Sequence, residues 1–482
     1  MSDSALDLLD RHRPWTGVHA VVVGIGATGF AAADNLLHVG ASVTVLAESA
    51  TGTQSEKGTL LEILGATVRI GAGETDRLPG SVDLVVTSPG VPPTAAPLVE
   101  ATERGVPVWG EVELAWRLRD KDRPGAWLCV TGTNGKTTTV QMLDAILRAD
   151  GLASIACGNV GLPLVEAVMD PTPYDVYAVE LSSFQLHYTH TLAADSAAVL
   201  NVAEDHLDWY DSMRAYAADK GRIYERVKKA CVYNVADRTT ELLVTEADVI
   251  DGARAIGFTL GMPDVGMVGI VDDVLADRAF VENRATSAAE LGTLADLASN
   301  APHFVENALA AAALARSVGV RAASVRAGLR GFHPDGHRIA EVAVVDGVSY
   351  VDDSKATNPH AAKASLLGYD PVVWVAGGLA KGARFDGLVE AVADRLRGVV
   401  LLGRDRAVIA EALARHAPDV RVIEVDAGET EAMDRVVAAA AELARPGDTV
   451  LLAPGCASMD MFANYAARGD AFAQAVNRLR EA

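Results

Sequence analysis

Val130-Thr-Gly-Thr-Asn-Gly-Lys-Thr-Thr-Thr139 is a glycine-rich segment that follows an apolar, β-prone run at residues 127–130 and precedes helical periodicity at residues 140–147. A strand, a glycine-rich turn and a helix in that order are typical of a phosphate-binding loop, because N–H groups at the start of the helix converge on an anion. Gly132 and Gly135 let the backbone approach the phosphates closely. The segment therefore predicts a phosphate-binding α/β domain.

Two side chains of this segment favour a nucleoside triphosphate with magnesium. Lys136 can reach the terminal phosphates, and the Thr137 hydroxyl can bind a Mg²⁺ ion that bridges them. The spacing differs from the common G-x-x-x-x-G-K-[ST] pattern, because Val130 stands where the first glycine would be. A glycine-rich turn with a surface lysine is the alternative, and phosphate binding is the interpretation that we favour.

Length and composition predict a soluble cytoplasmic protein of about three domains. The chain has 482 residues, half of them apolar, so each domain can bury a core. No apolar run approaches the roughly 20 residues of a membrane span, and the first ten residues are acidic, unlike a signal peptide. The net charge of −22 argues against non-specific nucleic-acid binding, and four scattered cysteines argue against disulfides or a zinc site.

The first 110 residues contain a βαβ pattern with the turn Gly24-Ile-Gly-Ala-Thr-Gly29 and an acid, Glu48, about 20 residues further on. This pattern predicts a Rossmann-like domain, in which Glu48 could hold a ribose hydroxyl. NAD binding, binding of another nucleotide and a purely structural turn all remain open here. A second turn, Ser88-Pro-Gly90, follows the strand at residues 82–87, and either a ligand-binding or an ordinary loop fits it. We place a domain boundary near Gly110, with a helical connector at residues 111–119.

The central domain is predicted over residues 111–334. Asn159 lies between two glycines, and Glu180 ends an apolar run, where a carboxylate in a phosphate-loop domain commonly serves Mg²⁺. His206 lies in an acidic loop between Asp205 and Asp208. Residues 235–300 are acidic and irregular, with weak strands such as Val268-Gly-Ile-Val271, and we assign them no chemistry.

The third domain is predicted over residues 335–482, after a hinge rich in turn formers at Gly331-Phe-His-Pro-Asp-Gly336. Strands at residues 348–352, 372–376, 399–402, 420–425 and 450–453 alternate with helices, which predicts a second Rossmann-like, doubly wound sheet. Function is expected at the carboxyl ends of its strands.

Four strings together resemble the Mur ligase family: Gly132-Thr-Asn-Gly-Lys-Thr-Thr138, Glu180-Leu-Ser-Ser183, Asn201-Val-Ala-Glu-Asp-His206 and Tyr216-Ala-Ala-Asp-Lys220. These are ATP-dependent amide-forming enzymes of peptidoglycan assembly, and the resemblance covers essentially the whole chain. It implies an α/β fold of three domains: Rossmann-like, P-loop ATPase-like and Rossmann-like. It also implies a reaction through an acyl phosphate, two Mg²⁺ ions and a carbamylated Lys220.

A fifth string, Asp353-Ser-Lys-Ala-Thr-Asn358, resembles the branch of this family that adds D-glutamate. The substrates implied are ATP, D-glutamate and UDP-N-acetylmuramoyl-L-alanine, and we expect a monomer that binds neither nucleic acid nor membrane. Known members carry Asp-Thr-Arg where this chain has Ala47-Glu-Ser49, a departure that bears on the uracil contacts, and Tyr465 replaces a common phenylalanine.

The resemblance assigns roles to individual residues. Lys136, His206 and Lys220 are the implied catalytic residues, and the implied metal ligands are Thr137, Glu180, His206 and Lys220. The implied ATP-binding residues are Gly132, Thr133, Asn134, Gly135, Lys136, Thr137, Thr138, Asn307, Arg338, Asp353 and Lys355. The implied residues for the other substrates are Gly26, Thr28, Glu48, Ser88, Pro89, Gly90, Asn159 and Ser182, with Thr357, Lys381, Ser458 and Tyr465 forming the D-glutamate pocket.

Three other functions compete with this one. A Mur-type ligase for a different amino acid would share most of these motifs. A nicotinamide-dependent oxidoreductase would use Gly24–Gly29 and Glu48 but would leave the phosphate loop, Glu180 and His206 without a role. A nucleotide-dependent switch would need a guanine-selecting string such as Asn-Lys-x-Asp, which the sequence lacks.

Overall fold

In the part of the chain that the structure describes, the strands assemble into three sheets, each covered by helices. The structure is a computed structural model that describes residues 6, 9–206, 209–333, 336–426 and 432–481. Two compact units are distinguished. The first runs to Val202 and resumes over Arg214–Phe332, and the second comprises Ala203–Met213 and continues from His333. Asp335, in the predicted hinge, and Asp208 lie outside the described residues.

The first sheet is parallel throughout and has the strand order β3-β2-β1-β4-β5, as a Rossmann-like domain requires. Its strands are β1 His19–Val23, β2 Ser42–Ala47, β3 Thr67–Ile70, β4 Leu84–Thr87 and β5 Val108–Gly110. The helices between and after them are α1 Ala27–His38, α2 Gly52–Ile63, α3 Ala96–Glu103 and α4 Glu111–Leu118.

The central sheet has the order β14-β13-β12-β11-β10-β9-β6-β8-β7, and it is parallel from β7 to β12. The parallel strands are β6 Ala126–Thr131, β7 Ser154–Gly158, β8 Val176–Glu180, β9 Ser196–Val199, β10 Ala230–Asn234, β11 Arg254–Phe258 and β12 Met267–Val271. The helices are α5 Lys136–Ala149, α6 Leu164–Met169, α7 Ser183–His187, α8 Met213–Gly221, α9 Arg238–Thr245, α10 Pro302–Ser317 and α11 Ala322–Gly331, with 3-10 turns at Arg222–Tyr224 and Leu294–Asp296.

Residues 235–300 are more regular than the sequence predicts. They supply α9, β11 and β12, and then two antiparallel strands, β13 Val274–Asp277 and β14 Ala289–Thr293. The expectation of an irregular segment is wrong because it weighed local propensity alone. The strands are held by pairing with neighbours and by α10, to which Arg316 attaches β13 through a 2.9 Å ion pair with Asp277.

Helix α4 belongs to a core that the first and central domains share. Of its eight residues only Arg117 is not buried, and the apolar side chains pack with those of both domains. Glu113 accepts hydrogen bonds from the backbone N–H groups of His190 (2.8 Å) and Thr191 (2.9 Å), and Gly110 N–H donates to the Tyr188 carbonyl (2.9 Å). The predicted helical connector is thus a packing element, and the boundary at residue 110 stays a prediction.

The third sheet has the order β15-β16-β20-β17-β18-β19. Its strands are β15 Ala340–Val345, β16 Val348–Asp352, β17 Val372–Gly377, β18 Leu396–Leu402, β19 Arg421–Glu424 and β20 Thr449–Leu452, parallel except for the pair β15 and β16. The helices are α12 Pro359–Leu366, α13 Asp386–Val392, α14 Arg406–His416, α15 Ala432–Leu443 and α16 Tyr465–Glu481, with a 3-10 turn at Ala393–Arg395. Strand β15 was not predicted.

None of the helices in the described residues combines the length and apolarity that crossing a membrane requires.

Candidate active site

The phosphate loop joins β6 to α5, as predicted. Asn134 N–H donates to the Asn201 side-chain oxygen (2.9 Å), and the Asn201 amide donates back to the Asn134 carbonyl (3.2 Å). Thr133 N–H donates to the Asn201 carbonyl (3.0 Å). Lys136 Nζ donates to the carbonyls of Gly132 (2.8 Å) and Thr133 (2.9 Å). The loop is therefore fixed by a neighbouring strand end, and its ammonium group is held within it.

Both the backbone conformation at position 135 and the packing around it require glycine. Gly135 caps α5 with φ +83°, and a Cβ atom there would lie 2.3 Å from the Asn307 side-chain oxygen. Asn307, in α10, is 6% exposed, and this predicted ATP-binding residue lies against the start of α5. Thr137 and Thr138 follow in the first turn of α5 and are both buried.

Among the described residues, one carboxylate oxygen of Glu180 has no hydrogen-bond partner. Glu180 ends β8, and its Cα is the register partner of Val130 in β6. Asn159 donates from its side chain to Glu180 Oε1 (2.8 Å) and from its N–H to the Glu180 carbonyl (2.9 Å). Oε2 is buried, with no hydrogen-bond partner among the described residues. A buried anionic oxygen without a donor is costly unless a cation meets it, so Glu180 fits a Mg²⁺ ligand.

Lys220 is buried against the same loop. It is 1% exposed, and its Nζ donates to the Gly132 carbonyl (2.9 Å) and lies 4.4 Å from the centre of the Tyr216 ring. The Tyr216 hydroxyl lies 3.2 Å from Thr133 Oγ1. The predicted Lys220 is thus within the phosphate-loop site.

A pair that the sequence did not reveal lies beside Lys220. Asp219 accepts from His187 Nδ1 at 2.7 Å, which links α8 to the end of α7. Ser182 starts α7 through a capping box with Gln185. The predicted role of Ser182 in substrate binding is untested, and its helix cap is a structural function that the sequence analysis did not assign.

His206 is grouped with the second compact unit, in Ala203–Met213. It has φ +56°, its N–H donates to Asp205 Oδ1 (2.9 Å), and its Nε2 lies 3.7 Å from Asp205 Oδ2. Asn358 donates to the same Asp205 carboxylate (3.4 Å). The sequence analysis did not predict this pairing of His206 with Asp205, and the assignment of His206 as a metal ligand stays a prediction.

The loop after β16 contains the predicted ATP contacts of the second unit. Asp353 is buried, and desolvation raises its pKa to about 6 against the opposing effects of the Ser365 hydroxyl and of Arg338. Lys355 Nζ lies 3.8 Å from the centre of the Tyr465 ring. Asp353, Lys355 and Tyr465 are therefore on neighbouring segments at this end of the sheet.

Three loops at the carboxyl ends of the third sheet meet through their backbones. Leu379 and Ala457 exchange hydrogen bonds (2.8 and 2.9 Å), and Gly455 N–H donates to the Ala356 carbonyl (2.8 Å). These contacts align the segments that contain Thr357, Lys381 and Ser458. Lys381 has φ +51°, and Ser458 is 4% exposed. These residues therefore lie on loops at one edge of the sheet, and the D-glutamate pocket stays a prediction.

Arg468 is a residue that sequence reasoning missed. It is 1% exposed and donates to the Ser354 carbonyl (2.8 Å), the Ser354 hydroxyl (3.0 Å) and the Cys456 carbonyl (3.0 Å). A guanidinium with several fixed donors can hold two loops in register. No local pattern in α16 marked this arginine, because its partners are distant in sequence.

The first sheet presents a hydroxyl at its carboxyl edge. Ser88 Oγ is buried without a hydrogen-bond partner among the described residues, and the glycine turn packs on it. A Cβ atom on Gly24 or Gly29 would lie 2.6 or 2.9 Å from Ser88 Oγ. Pro89 and Gly90 form the predicted turn, closed by a 3.1 Å bond from Val91 N–H to the Ser88 carbonyl.

Gly26, Thr28 and Glu48 differ in their surroundings. Gly26 precedes α1, and Thr28 lies in its first turn. Glu48 instead accepts hydrogen bonds from Gly73 N–H (3.2 Å) and Thr75 Oγ1 (2.8 Å) of the loop after β3. Its carboxylate therefore braces a loop of its own domain in this structure.

Family models match three successive parts of the chain. They are described as "Mur ligase MurD-like, N-terminal domain" over residues 18–110, "Mur ligase middle domain" over 130–315 and "Mur ligase, glutamate ligase domain" over 337–456. A UDP-N-acetylmuramoylalanine–D-glutamate ligase of Streptomyces coelicolor is 59% identical over 467 residues, which are 96% of this chain and 99% of that protein. One of Thermobifida fusca is 54% identical over 466 residues, again 96% and 99%.

The chain belongs to the Mur ligase family.

Solved Mur ligases share the fold. UDP-N-acetylmuramate-alanine ligase MurC from Thermotoga maritima superposes with a TM-score of 0.55 at 17% identity, covering 96% of this chain and 99% of that one. MurF ligase from Thermotoga maritima, solved in complex with ADP, gives 0.54 at 17% identity, with 100% and 99% covered. At such identities the likeness concerns the fold alone. As a Mur ligase the chain is an ATP-dependent, Mg²⁺-using enzyme, which leaves the oxidoreductase and switch alternatives without support.

Proposed function

We propose that this Mur ligase joins D-glutamate to UDP-N-acetylmuramoyl-L-alanine with consumption of ATP, in the synthesis of peptidoglycan precursors. The observation that carries the proposal is the 59% identity, over 96% of the chain, to a ligase named for that reaction. The string Asp353-Ser-Lys-Ala-Thr-Asn358 supports the choice of D-glutamate over the amino acids that other Mur ligases add.

The chemistry begins with a carboxylate, which is a poor electrophile. The γ-phosphoryl group of ATP passes to the carboxylate of the L-alanyl substrate, releasing ADP and giving an acyl phosphate. The amine of D-glutamate attacks the acyl carbon, the tetrahedral intermediate expels inorganic phosphate, and the amine loses a proton. Catalysis is mainly positioning and charge neutralisation. The phosphate loop contributes backbone N–H groups, and Lys136 contributes a positively charged ammonium group.

Thr137 and Glu180 are the residues that would hold one Mg²⁺. The buried Oε2 of Glu180 supports this assignment, and a threonine hydroxyl and a carboxylate are the oxygen ligands that Mg²⁺ prefers. When bound, the ion neutralises charge on the phosphoryl oxygens.

Asn159 orients the other oxygen of Glu180, so an Asn159→Ala variant should need more Mg²⁺ for half-maximal activity.

A second magnesium, with His206 and a carbamylated Lys220, stays a prediction. An ammonium repels a metal ion, whereas CO₂ addition to the amine makes a carboxylate-like ligand. The burial of Lys220 beside the phosphate loop supports its place in the site. Incubation with ¹³C-bicarbonate should give a carbamate ¹³C NMR signal in the native protein, and the signal should be absent from Lys220→Ala. A signal retained in that variant would assign it to another amine.

The remaining substrate contacts divide between the two ends of the chain. We assign the uridine nucleotide to the first domain, where the Ser88 hydroxyl faces the glycine turn and has no hydrogen-bond partner among the described residues. We assign D-glutamate to Thr357, Lys381, Ser458 and Tyr465, because a lysine can pair with the side-chain carboxylate and hydroxyls can orient it. A monomeric state and a cytoplasmic location also stay predictions.

Phosphate release tests the function directly. The assay contains ATP, Mg²⁺, UDP-N-acetylmuramoyl-L-alanine and either D- or L-glutamate, with L-lysine and D-alanine as alternative amino acids. Release should require both the acceptor and D-glutamate, and Lys136→Ala should abolish it. Release that ignores either substrate defeats the ligase proposal, and preference for another amino acid would assign a different Mur-type reaction.

Lys381 tests the amino-acid pocket separately. Lys381→Ala should raise the KM for D-glutamate at least tenfold and leave the KM for ATP within a factor of two, because only one carboxylate loses its cation. Lys363, on α12 of the same domain, supplies the matched control as Lys363→Ala. Unchanged D-glutamate kinetics in Lys381→Ala would contradict the pocket.

A further inference from the structure

A cavity lined with positive charge lies at the amino ends of the central strands, away from the phosphate loop. Its volume is about 420 Å³, and it lies, open to solvent on one side, where the chain enters β6, β8, β9 and β10. Four cationic side chains line it: Arg119, Lys121, Lys228 and Lys229. Ligand cavities typically have volumes of about 300–1,000 Å³, so this one can hold a small molecule.

The acids that line the cavity do not balance these four cations. Asp195 is shared, since Lys228 and Lys229 lie 3.7 and 3.6 Å from its two oxygens, and it also accepts the Trp127 N–H (3.1 Å). Asp175, the other acid, accepts the Ala153 N–H (2.9 Å). The lining side chains alone, four positive and two negative, carry a formal charge of +2 in a chain whose net charge is −22, and Asp120 and Asp122 flank Lys121 in the sequence. Such a local excess attracts anions.

Arg119 is held in place before any ligand arrives. Its guanidinium carbon lies 3.4 Å from the centre of the Trp116 ring, and it donates to the Trp116 carbonyl. Trp116 in turn packs edge-on against Trp127, with ring centres 5.0 Å apart. Both tryptophans are buried. A guanidinium fixed on an aromatic wall offers a planar set of donors at little entropic cost, which suits phosphate oxygens.

We propose that this cavity binds a small diphosphate-bearing anion at a site separate from the ATP site. Strand β6 separates the two sites: Ala126 lines the cavity, and Thr131, at the other end of the strand, begins the phosphate loop. Five residue steps of about 3.3 Å place these residues about 17 Å apart. An anion in the cavity therefore does not compete with ATP for the loop.

Calorimetric titration of inorganic pyrophosphate into the full-length Lys136→Ala protein, without magnesium, tests the site. The Lys136→Ala change weakens the phosphate loop as a competing site. Binding should be observed, and it should weaken as salt is raised, because salt screens exposed charges. Adding Lys228→Ala and Lys229→Ala should lower the affinity at least tenfold. The control pair Arg284→Ala and Arg421→Ala removes two exposed positive charges elsewhere and should leave the affinity within a factor of two.

Each outcome decides the proposal. No heat of binding in the Lys136→Ala parent, or equal affinity in the cavity and control variants, overturns it. If the Lys228 and Lys229 changes impair folding, Lys121→Glu on the exposed rim replaces them and should also weaken binding at least tenfold. Because phosphate release is not the readout, failure of this proposal and failure of the ligase proposal are distinguishable.

Discussion

At the scale of single residues, the phosphate loop depends on a glycine that faces a side chain distant in sequence. Gly135 has φ +83°, and the atom nearest to its absent Cβ belongs to Asn307. The first property could be expected from the loop pattern. The second could not, because α10 reaches the loop only through the packing of the central domain.

Gly135→Ala should therefore cost more than backbone strain. A left-handed conformation costs an alanine about 1–2 kcal/mol, and the approach to Asn307 adds a steric term and displaces the loop. We expect a larger loss of unfolding free energy than in Gly151→Ala and at least tenfold weaker binding of Mg·ATP by calorimetry. Gly151, just beyond the other end of α5, has φ +89°, and no atom lies within 4 Å of the position of a Cβ. The Gly151→Ala variant therefore has the backbone strain without the steric clash. Equal ATP affinity in the two variants would refute the steric explanation.

At the scale of elements, α4 contains two buried acids, Glu111 and Glu113, whose pKa values are shifted in opposite directions. Desolvation raises the pKa of Glu111 to about 7, although Val165 N–H donates to it. Desolvation also acts on Glu113, but hydrogen bonds from Thr191 and His190 and the Arg117 side chain lower its pKa overall. Two residues of one helix turn are thus distinguished only by what surrounds them.

Glu111 should destabilise the protein as pH rises. Below its ordinary pKa of 4.5 the carboxyl is protonated in both folded and unfolded chains; between 4.5 and about 7 only the unfolded chain ionises. The folded state should lose up to about 3 kcal/mol over that window, at about 1.4 kcal/mol per pKa unit. The stability of Glu111→Gln relative to native should rise accordingly in urea unfolding from pH 4.5 to 7.5.

For Glu113, two residues further along α4, the opposite dependence of stability on pH is expected. The lowered pKa of Glu113 contributes stability above pH 4.5 that disappears as pH falls through the folded-state pKa. Glu113→Gln should thus be less stable than native at pH 7, with the difference shrinking in acid. Parallel pH profiles for the two variants would show that these environments are misassigned.

The antiparallel extension of the central sheet makes a second test at this scale. Asp277 and Arg316 are 0% and 14% exposed in their 2.9 Å pair, and Asp277 also accepts N–H bonds from Ala279 and Phe280. Asp277→Ala should lower the unfolding free energy by about 3–5 kcal/mol, because a buried charge loses its partner. The pair Arg326–Glu290, 46% and 53% exposed, joins the neighbouring strand β14 to α11. Glu290→Ala should cost no more than about 1 kcal/mol, and similar losses in both variants would mean that burial is not the deciding factor.

At the scale of the whole molecule, ligand binding should appear as stability. A ligand at 100 times its Kd that binds only the folded state adds about 2.7 kcal/mol. Mg·ATP should raise the Tm of the native protein, and ATP with a chelator should raise it much less, because Glu180 and Thr137 then lack the ion between them and the phosphates. In Lys136→Ala both shifts should fall below 1 °C. A chelator-insensitive shift would indicate that ATP binds without the proposed metal ligands.

Sequence alone determined the phosphate loop, the Rossmann-like pattern of the outer domains and the family, because each depends on residues that are adjacent in the chain. Glycine spacing, the lysine and threonine after it, and the strand that precedes it act within a few residues. Tertiary structure alone decided that Glu180 has an oxygen without a donor among the described residues, that Arg468 holds two loops together and that residues 235–300 extend a sheet. These properties arise from burial and from contacts across long sequence separations, which no local pattern encodes.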